Sequence, residues 1–409
     1  VRNRSLLIIT TMLTTGALTL TACGSRDEGK GGEGNGDKTT VVIGVSVPLT
    51  GDLSALGQGI KNSVDLAAKT ANKNNEVPGV EFKIEPLDDQ GQPNSGQQNA
   101  TKLVANKDVI GVVGPLNSSV AQSMQKIFDN AKLAEVSPAN TAPELTQGKD
   151  WQTGAKKRQF GSYFRTSTTD AVQGPFAAQY LFNEAKIKKV FVIDDQKTYG
   201  AGLAKTFTQE FKKLGGKVVG TDKVEPEERD FNAVVSKVKS SGAEAVYYGG
   251  EYPAAGPLSQ QLKDSGAKIP LMGGDGMKSD DFIKLNKNSE GDLGTSVGEP
   301  VEVLDSAKKF VEDYNASKYA DPYETYGGYS YDAGWAVIQA VKAVVQDNGG
   351  KLPEDARAKV VEAMSKVNFN GVTGTVAFDE FGDTTNKTIT VYKVQQKVWK
   401  NVKSGEFTG

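Results

Sequence analysis

The 409-residue chain carries 48 Lys plus Arg against 50 Asp plus Glu, and a net charge of −2 offers nothing to attract nucleic acid. It has no His and one Cys, Cys23, which excludes Ser–His and Cys–His catalysis, His-based metal sites, an intrachain disulfide and a Cys zinc site. The length allows two domains with substantial cores.

Residues 1–22 read as an export leader. Arg2 and Arg4 form its positive end, and the run from Leu6 to Leu20 is apolar but diluted by Thr, too short and polar for a lasting membrane span. It closes on Leu20-Thr-Ala-Cys23, which resembles the lipobox of bacterial lipoproteins. The resemblance implies cleavage before Cys23, lipid on its thiol, and a protein anchored to the extracytoplasmic face of the cell membrane. The competing reading is an ordinary secreted protein with an unrelated Cys. Residues 23–39 are the modified Cys and a Gly-rich, mixed-charge tether, and the folded part is expected from about Thr39.

From Thr40 the pattern alternates between strand and helix. Val41–Val47 reads as a strand, Gly57–Ala71 as a helix, Phe82–Leu87 as a strand closing on Asp88-Asp89, and Ser95–Asn106 as a helix. The run from Val109 to Val113 is rich in β-branched residues and predicts a buried parallel strand. Gly114-Pro115 ends it. Asn117-Ser118-Ser119 then opens a helix with Val120, Met124, Ile127 and Phe128 on one side. Ser and Asn favour helix starts, so a capping role for Ser118 or Ser119 is the simplest reading of this stretch alone. Free N–H groups and hydroxyls at such a turn also suit a carboxylate.

Ala134–Ser137 predicts a short strand, Gln147–Gly161 a polar surface loop, and Tyr163–Ser167 an extended segment. The alternation then restarts. Helices are predicted over Val172–Ala185, Tyr199–Leu214, Phe231–Ser240 and around Leu258–Lys263. Strands are predicted over Val190–Ile193, Lys217–Val224, Ala245–Tyr248 and Ile269–Met272. After Pro300 come helices at Asp305–Tyr319, Tyr329–Gln346 and Pro353–Val367, then strands at Gly371–Asp379 and Thr388–Val402. Two runs of βα units imply an α/β protein of two doubly wound, parallel-sheet lobes.

Small and polar residues gather where the predicted strands end: Pro48-Leu-Thr-Gly, Gly114-Pro-Leu-Asn-Ser, Pro138-Ala-Asn-Thr, Gly249-Gly-Glu and Gly273-Gly-Asp. If those edges face each other they line one cleft. The first lobe would offer neutral donors from Asn117, Ser118, Asn140 and Thr141, and the second would offer the carboxylates Glu251 and Asp275. A zwitterion would bridge them, its carboxylate at Ser118 and its ammonium at Asp275. For each acid the competing reading is a solvated loop carboxylate or a helix cap.

Taken together, Val45-Ser-Val-Pro-Leu-Thr-Gly51, Gly114-Pro-Leu-Asn-Ser-Ser119, Ser137-Pro-Ala-Asn-Thr-Ala-Pro-Glu-Leu-Thr146, Tyr199-Gly-Ala-Gly-Leu203, Tyr247-Tyr-Gly-Gly250 and Gly273-Gly-Asp-Gly276 resemble the Leu/Ile/Val-binding proteins of bacterial ABC importers, in order and spacing, from about Thr40 to the end. The resemblance implies a type I periplasmic-binding fold with a three-stranded hinge. It implies that Ser118 and the Ala139-Asn140-Thr141 loop hold an amino acid's carboxylate and help hold its ammonium, that Asp275 takes the ammonium, and that Tyr199 lies beside the ligand. Three positions depart from the pattern. Leu56 stands near a usual aromatic that packs on the ligand side chain, Glu251 stands where Tyr is common, and Gly91 and Asn117 occupy the likely positions of an early disulfide. Leu56 suits contact with an aliphatic side chain. Three roles stay open for Glu251: sharing the ammonium with Asp275, pointing out of the cleft, or selecting a more polar ligand.

The implied lobes are residues 40–168 with 300–384 and residues 169–299 with 385–409. The crossings fall near Ser167–Asp170, Glu299–Val301 and Thr384–Lys387. The implied function is capture of a branched-chain or similar amino acid by hinge closure, and its delivery to ABC permease subunits, with no cofactor, no metal, no enzymatic activity and a monomeric state. The alternatives are the same fold binding a small amide, urea or another amino acid, or serving as the ligand sensor of a membrane signalling partner.

Overall fold

The computed structural model describes residues 38–407, so the leader, Cys23 and nearly all of the tether lie outside the described residues. Within it the first sheet contains β1 (Thr39–Val47), β2 (Val80–Asp88), β3 (Val109–Val113), β4 (Ala134–Ser137) and β5 (Tyr163–Arg165). Its strands are all parallel, in the order β2-β1-β3-β4-β5. β3 is buried along its whole length, as a continuous β-branched run between two helical layers requires.

The second sheet contains β6 (Lys189–Asp194), β7 (Lys217–Lys223), β8 (Ala245–Gly249), β9 (Leu271–Gly273) and β10 (Leu293–Val297). A small hairpin, β11 (Asn368–Gly371) with β12 (Gly374–Ala377), stands apart, and β13 (Thr388–Gln395) and β14 (Val398–Glu406) complete the second sheet. The order is β14-β13-β10-β9-β8-β6-β7. This sheet is mixed rather than purely parallel, because β13 runs antiparallel to both β10 and β14. The stretch Thr388–Val402, expected as one strand, is therefore a hairpin. It turns at Gln396 and Lys397, whose φ angles of 56° and 63° are those of a tight two-residue turn.

The helices bury the stripes their spacing predicts. Ser54–Lys73 turns Leu56, Ile60, Val64, Ala67 and Ala71 inward. Thr198–Lys213 buries Leu203, Phe207 and Phe211, and Phe207 stacks on Tyr247 of β8 with ring centroids 3.6 Å apart. Gly327–Asp347 packs on Ser54–Lys73 although it follows β10 in sequence. The chain thus passes between the two layers three times: after Arg165, after Val297 and before Thr388. The first and third passages are tied by a fully buried ion pair, in which Arg165 Nε lies 2.6 Å from Asp383 Oδ1.

Candidate functional site

Open parallel sheets bind ligands beyond their strands' carboxyl ends, where the strand order reverses. In the first sheet the reversal lies between β1 and β3, and in the second between β6 and β8. Leu56 follows β1, Asn117 and Ser118 follow β3, Tyr199 follows β6 and Glu251 follows β8. Asp275 follows β9, one strand along.

These positions meet. One small cavity, about 20 Å³, is lined by Leu56, Leu116, Asn117, Ser118, Ala139 and Tyr326 on the first-sheet side and by Tyr199, Glu251 and Gly276 on the other. Asp275, next to Gly276, is buried. Its Oδ1 accepts from Gln173 Nε2 at 2.9 Å and from the Tyr199 hydroxyl at 2.8 Å, and its Oδ2 accepts from the Tyr326 hydroxyl at 2.8 Å. Burial pushes this carboxyl up from its ordinary value, and the three donors act against that shift. The Gly-Gly-Asp-Gly spelling has a steric cause. A Cβ on Gly274 would sit 2.3 Å from the Tyr199 hydroxyl, and one on Gly276 would sit 3.0 Å from its ring.

Ser118 begins the helix Ser118–Asn130, and no side chain caps that helix end. The simple capping reading of Ser118 or Ser119 is therefore corrected. The first N–H groups of a 13-residue helix, with its positive dipole end, face the cavity side of the fold without a side-chain acceptor. A carboxylate is the complement of such an end.

The loop after β4 divides. Ala139 lines the cavity, with its N–H on Ser137 Oγ at 3.2 Å. Asn140 lies behind it and is tied to internal partners. Its Nδ2 donates to the Leu116 carbonyl at 2.7 Å, its Oδ1 accepts from the Tyr163 hydroxyl at 2.9 Å, and its carbonyl accepts from Arg165 Nη1 at 2.9 Å. Every strong group of Asn140 thus stabilises the loop itself. Thr141 is buried, and its carbonyl accepts from the Asp170 N–H at 2.8 Å, where the chain first leaves the first sheet.

Three residues at the site escaped the sequence reading. Gln173 Nε2 bridges the Asp170 and Asp275 carboxylates at 2.8 and 2.9 Å. Asp170 is fully buried, and burial together with Asp275 holds its carboxyl well above the usual range. Tyr326 reaches Asp275 from the helical segment that returns to the first layer. The signals available were the Asp170-Ala-Val-Gln173 spacing before Gly174-Pro175 and the dense aromatic run from Tyr323 to Tyr331.

Glu251 has two polar partners. Its Oε2 lies 3.0 Å from Lys197 Nζ, and its Oε1 accepts a hydrogen bond from Asn117 Nδ2 of the opposite layer. Gly91, the other position of the absent disulfide, is indeed beside Asn117: a Cβ there would lie 3.1 Å from Asn117 Oδ1. Among the described residues no group of three or more acidic or Cys side chains is placed to hold a metal ion. No described helix is long and apolar enough to cross a membrane.

Two α/β layers with facing switch points, linked by three passages, are the architecture of a two-lobed binding protein, with an uncapped helix end on one side of the cavity and the buried Asp275 beside its other wall. The family model described as "Periplasmic binding protein" matches residues 40–400, and the chain belongs to that family, with the type I periplasmic-binding fold. It is 32% identical over 360 residues to an "Amino acid binding protein" of Pseudomonas aeruginosa, covering 87% of this chain and 91% of the relative. It is 30% identical over 354 residues to the "Leu/Ile/Val-binding protein BraC3" of Rhizobium johnstonii, covering 86% and 91%. A solved leucine-binding protein of Thermotoga maritima superposes with a TM-score of 0.77 at 26% identity, covering 89% of this chain and 98% of that one.

Proposed function

We propose that this protein is the extracytoplasmic binding component of an ABC importer, which captures a branched-chain or similar α-amino acid between its lobes and hands it to the permease. One observation carries the reading: a buried carboxylate, Asp275, lies next to Gly276 in the wall of a cavity that Ser118 lines from the other sheet. In this reading the ligand's carboxylate meets Ser118 and the free helix end, and its ammonium meets Asp275. Tyr199 and Tyr326 orient that carboxylate, and Leu56 covers the aliphatic part of the ligand. The lobes are residues 40–168 with 300–384 and residues 169–299 with 385–409, closing about the three passages. Burying the aliphatic side chain contributes about 1.5–3 kcal/mol. After the cost of closure and of lost ligand freedom, affinity near the micromolar range, about −8 kcal/mol, is expected.

The amino-acid relatives and the similar leucine-binding structure support this reading. Anchoring through lipid on Cys23 and a monomeric state belong to the same proposal. Mass spectrometry of small molecules released from purified, denatured protein, followed by calorimetry with an amino-acid panel, tests it. Release of a non-amino-acid solute, with no heat from any α-amino acid, would remove it.

A further inference from the structure

Glu251 lines two cavities. Beyond the one described, a larger space of about 730 Å³, open at its mouth, lies between the layers. Asp52, Leu53 and Gly91 line it from the first layer, and Asp195, Tyr248 and Arg229 line it from the second.

Its charges do not balance. Five carboxylates, of Asp52, Asp195, Glu225, Glu227 and Glu251, face two cations, of Lys197 and Arg229; Asp52, Glu225 and Glu227 are exposed to solvent, and the unmatched buried acid is Asp195. Arg229 is engaged with Asp52, and Lys197 with Glu251. Asp195 is 1% exposed, and its one donor is the Lys197 backbone N–H at 3.0 Å. Burial and the neighbouring Glu251 push the Asp195 carboxyl up to about 7, which is how a protein relieves an unmatched buried charge. Independently of the acids, the Tyr248 hydroxyl lies fully buried in this wall with no hydrogen-bond partner. A buried hydroxyl without a partner costs free energy that an incoming donor would recover. The described residues provide no cluster suited to a metal ion, so the missing cation is best supplied by an organic ligand.

We propose that this space is the ligand's side-chain compartment, and that the preferred ligand is an α-amino acid whose long side chain ends in an ammonium or guanidinium received by Asp195, Glu251 and the Tyr248 hydroxyl. The inference rests on the amino-acid reading above and narrows it. The α-ammonium and carboxylate stay between Asp275 and Ser118. The methylene stem passes Leu56 and Leu53, both buried. The terminal cation then joins a site whose own Lys197 pairs with Glu251 and leaves the buried Asp195 unmatched. A charge-assisted bond in such a place is stronger than a neutral one. A leucine side chain carries no polar group and leaves the Tyr248 hydroxyl unsatisfied.

The test compares ligands that differ only at that end. Calorimetric titration of the purified protein with L-lysine, L-arginine, L-norleucine and L-leucine is expected to show lysine or arginine binding about tenfold or more tighter than norleucine. Asp195→Asn and Tyr248→Phe should each shrink the lysine–norleucine gap. Tyr248→Phe removes one oxygen from a packed ring and keeps the test available if Asp195→Asn fails to fold. Norleucine or leucine binding as tightly as lysine, or a gap unmoved by Tyr248→Phe, would overturn the inference while leaving amino-acid capture standing. Failure of all four ligands to bind would likewise overturn the inference, and the amino-acid reading would fall with it only if the full amino-acid panel also gave no heat.

Discussion

Asn117 and Glu251 join the two layers directly: the Asn117 amide donates across the cleft to the Glu251 carboxylate, which Lys197 holds from behind at 3.0 Å. Both residues stand where the sequence departs from the pattern of the Leu/Ile/Val-binding proteins it resembles. The two departures are one structural event. An Asn free of a disulfide partner is available to bond a carboxylate that has replaced an aromatic. In this state Glu251 links the two layers through Asn117 and Lys197.

Because that bond exists only when the lobes meet, removing it should tilt the protein toward the open form. Asn117→Ala is expected to weaken ligand binding by about two- to tenfold, the equivalent of about 0.5–1.5 kcal/mol. Small-angle scattering of the ligand-free variant should show a larger radius of gyration than that of the native protein.

Asp275→Ala should weaken binding by more than about tenfold, because the ligand's ammonium would lose its only directly opposed carboxylate. Tyr326→Phe removes one of three donors to that carboxylate and should have a smaller effect in the same direction. The Asp275 carboxyl is raised by burial and must be ionised to receive an ammonium, so affinity should fall as pH drops toward its elevated pKa. Calorimetry across a pH series checks the sign.

The Arg165–Asp383 pair is fully buried, and Arg165 also donates to the carbonyls of Asn140 and Ala142, both at 2.9 Å. Asp383→Ala would strand the guanidinium and is expected to cost about 3–5 kcal/mol of stability at neutral pH. The Asp383 carboxyl is held below its usual range, with Arg165 the main counterweight to burial. Its contribution is therefore present above the unfolded value of about 3.9 and is lost as pH falls through the folded value. Urea unfolding at neutral and acidic pH should show the gap between native and variant closing in acid.

Glu135 gives the opposite slope. It is fully buried in β4, neither carboxylate oxygen has a partner, and burial holds the carboxyl well above its usual range. The folded state binds this proton more tightly than the unfolded chain, so stability falls as pH rises above about 4.3 toward the folded value. Glu135→Met should match the native protein near pH 4 and exceed it at pH 8, measured by urea unfolding.

Much of this architecture was legible because buried parallel strands and amphipathic helices leave strong, distinct periods. β3 and the Leu203-Phe207-Phe211 helix are examples. β10 was not, because Leu-Gly-Thr-Ser-Val has a weak strand pattern and is buried by its neighbours rather than by its own residues. The Gln396-Lys397 turn was missed because neither residue is the Gly or Asn that usually marks positive φ. At the site, Ser118 and Asp275 were visible as polar residues at strand ends. Tyr326 and Asp170 were not, since their meaning arises only when distant segments converge on Asp275. Position alone likewise did not reveal that Asn140 bonds to Tyr163, Leu116 and Arg165.

The absence of sulfur cross-links from the cleft rim has a practical side. With Cys23 the sole cysteine of the 409 residues, the body that begins at Thr39 contains no thiol. It needs no oxidant to refold, and it should mature equally well in a reducing cytosol. A single engineered cysteine on either lip would then accept a fluorophore at one defined place, turning the closing motion into an optical signal for whatever solute the protein takes up.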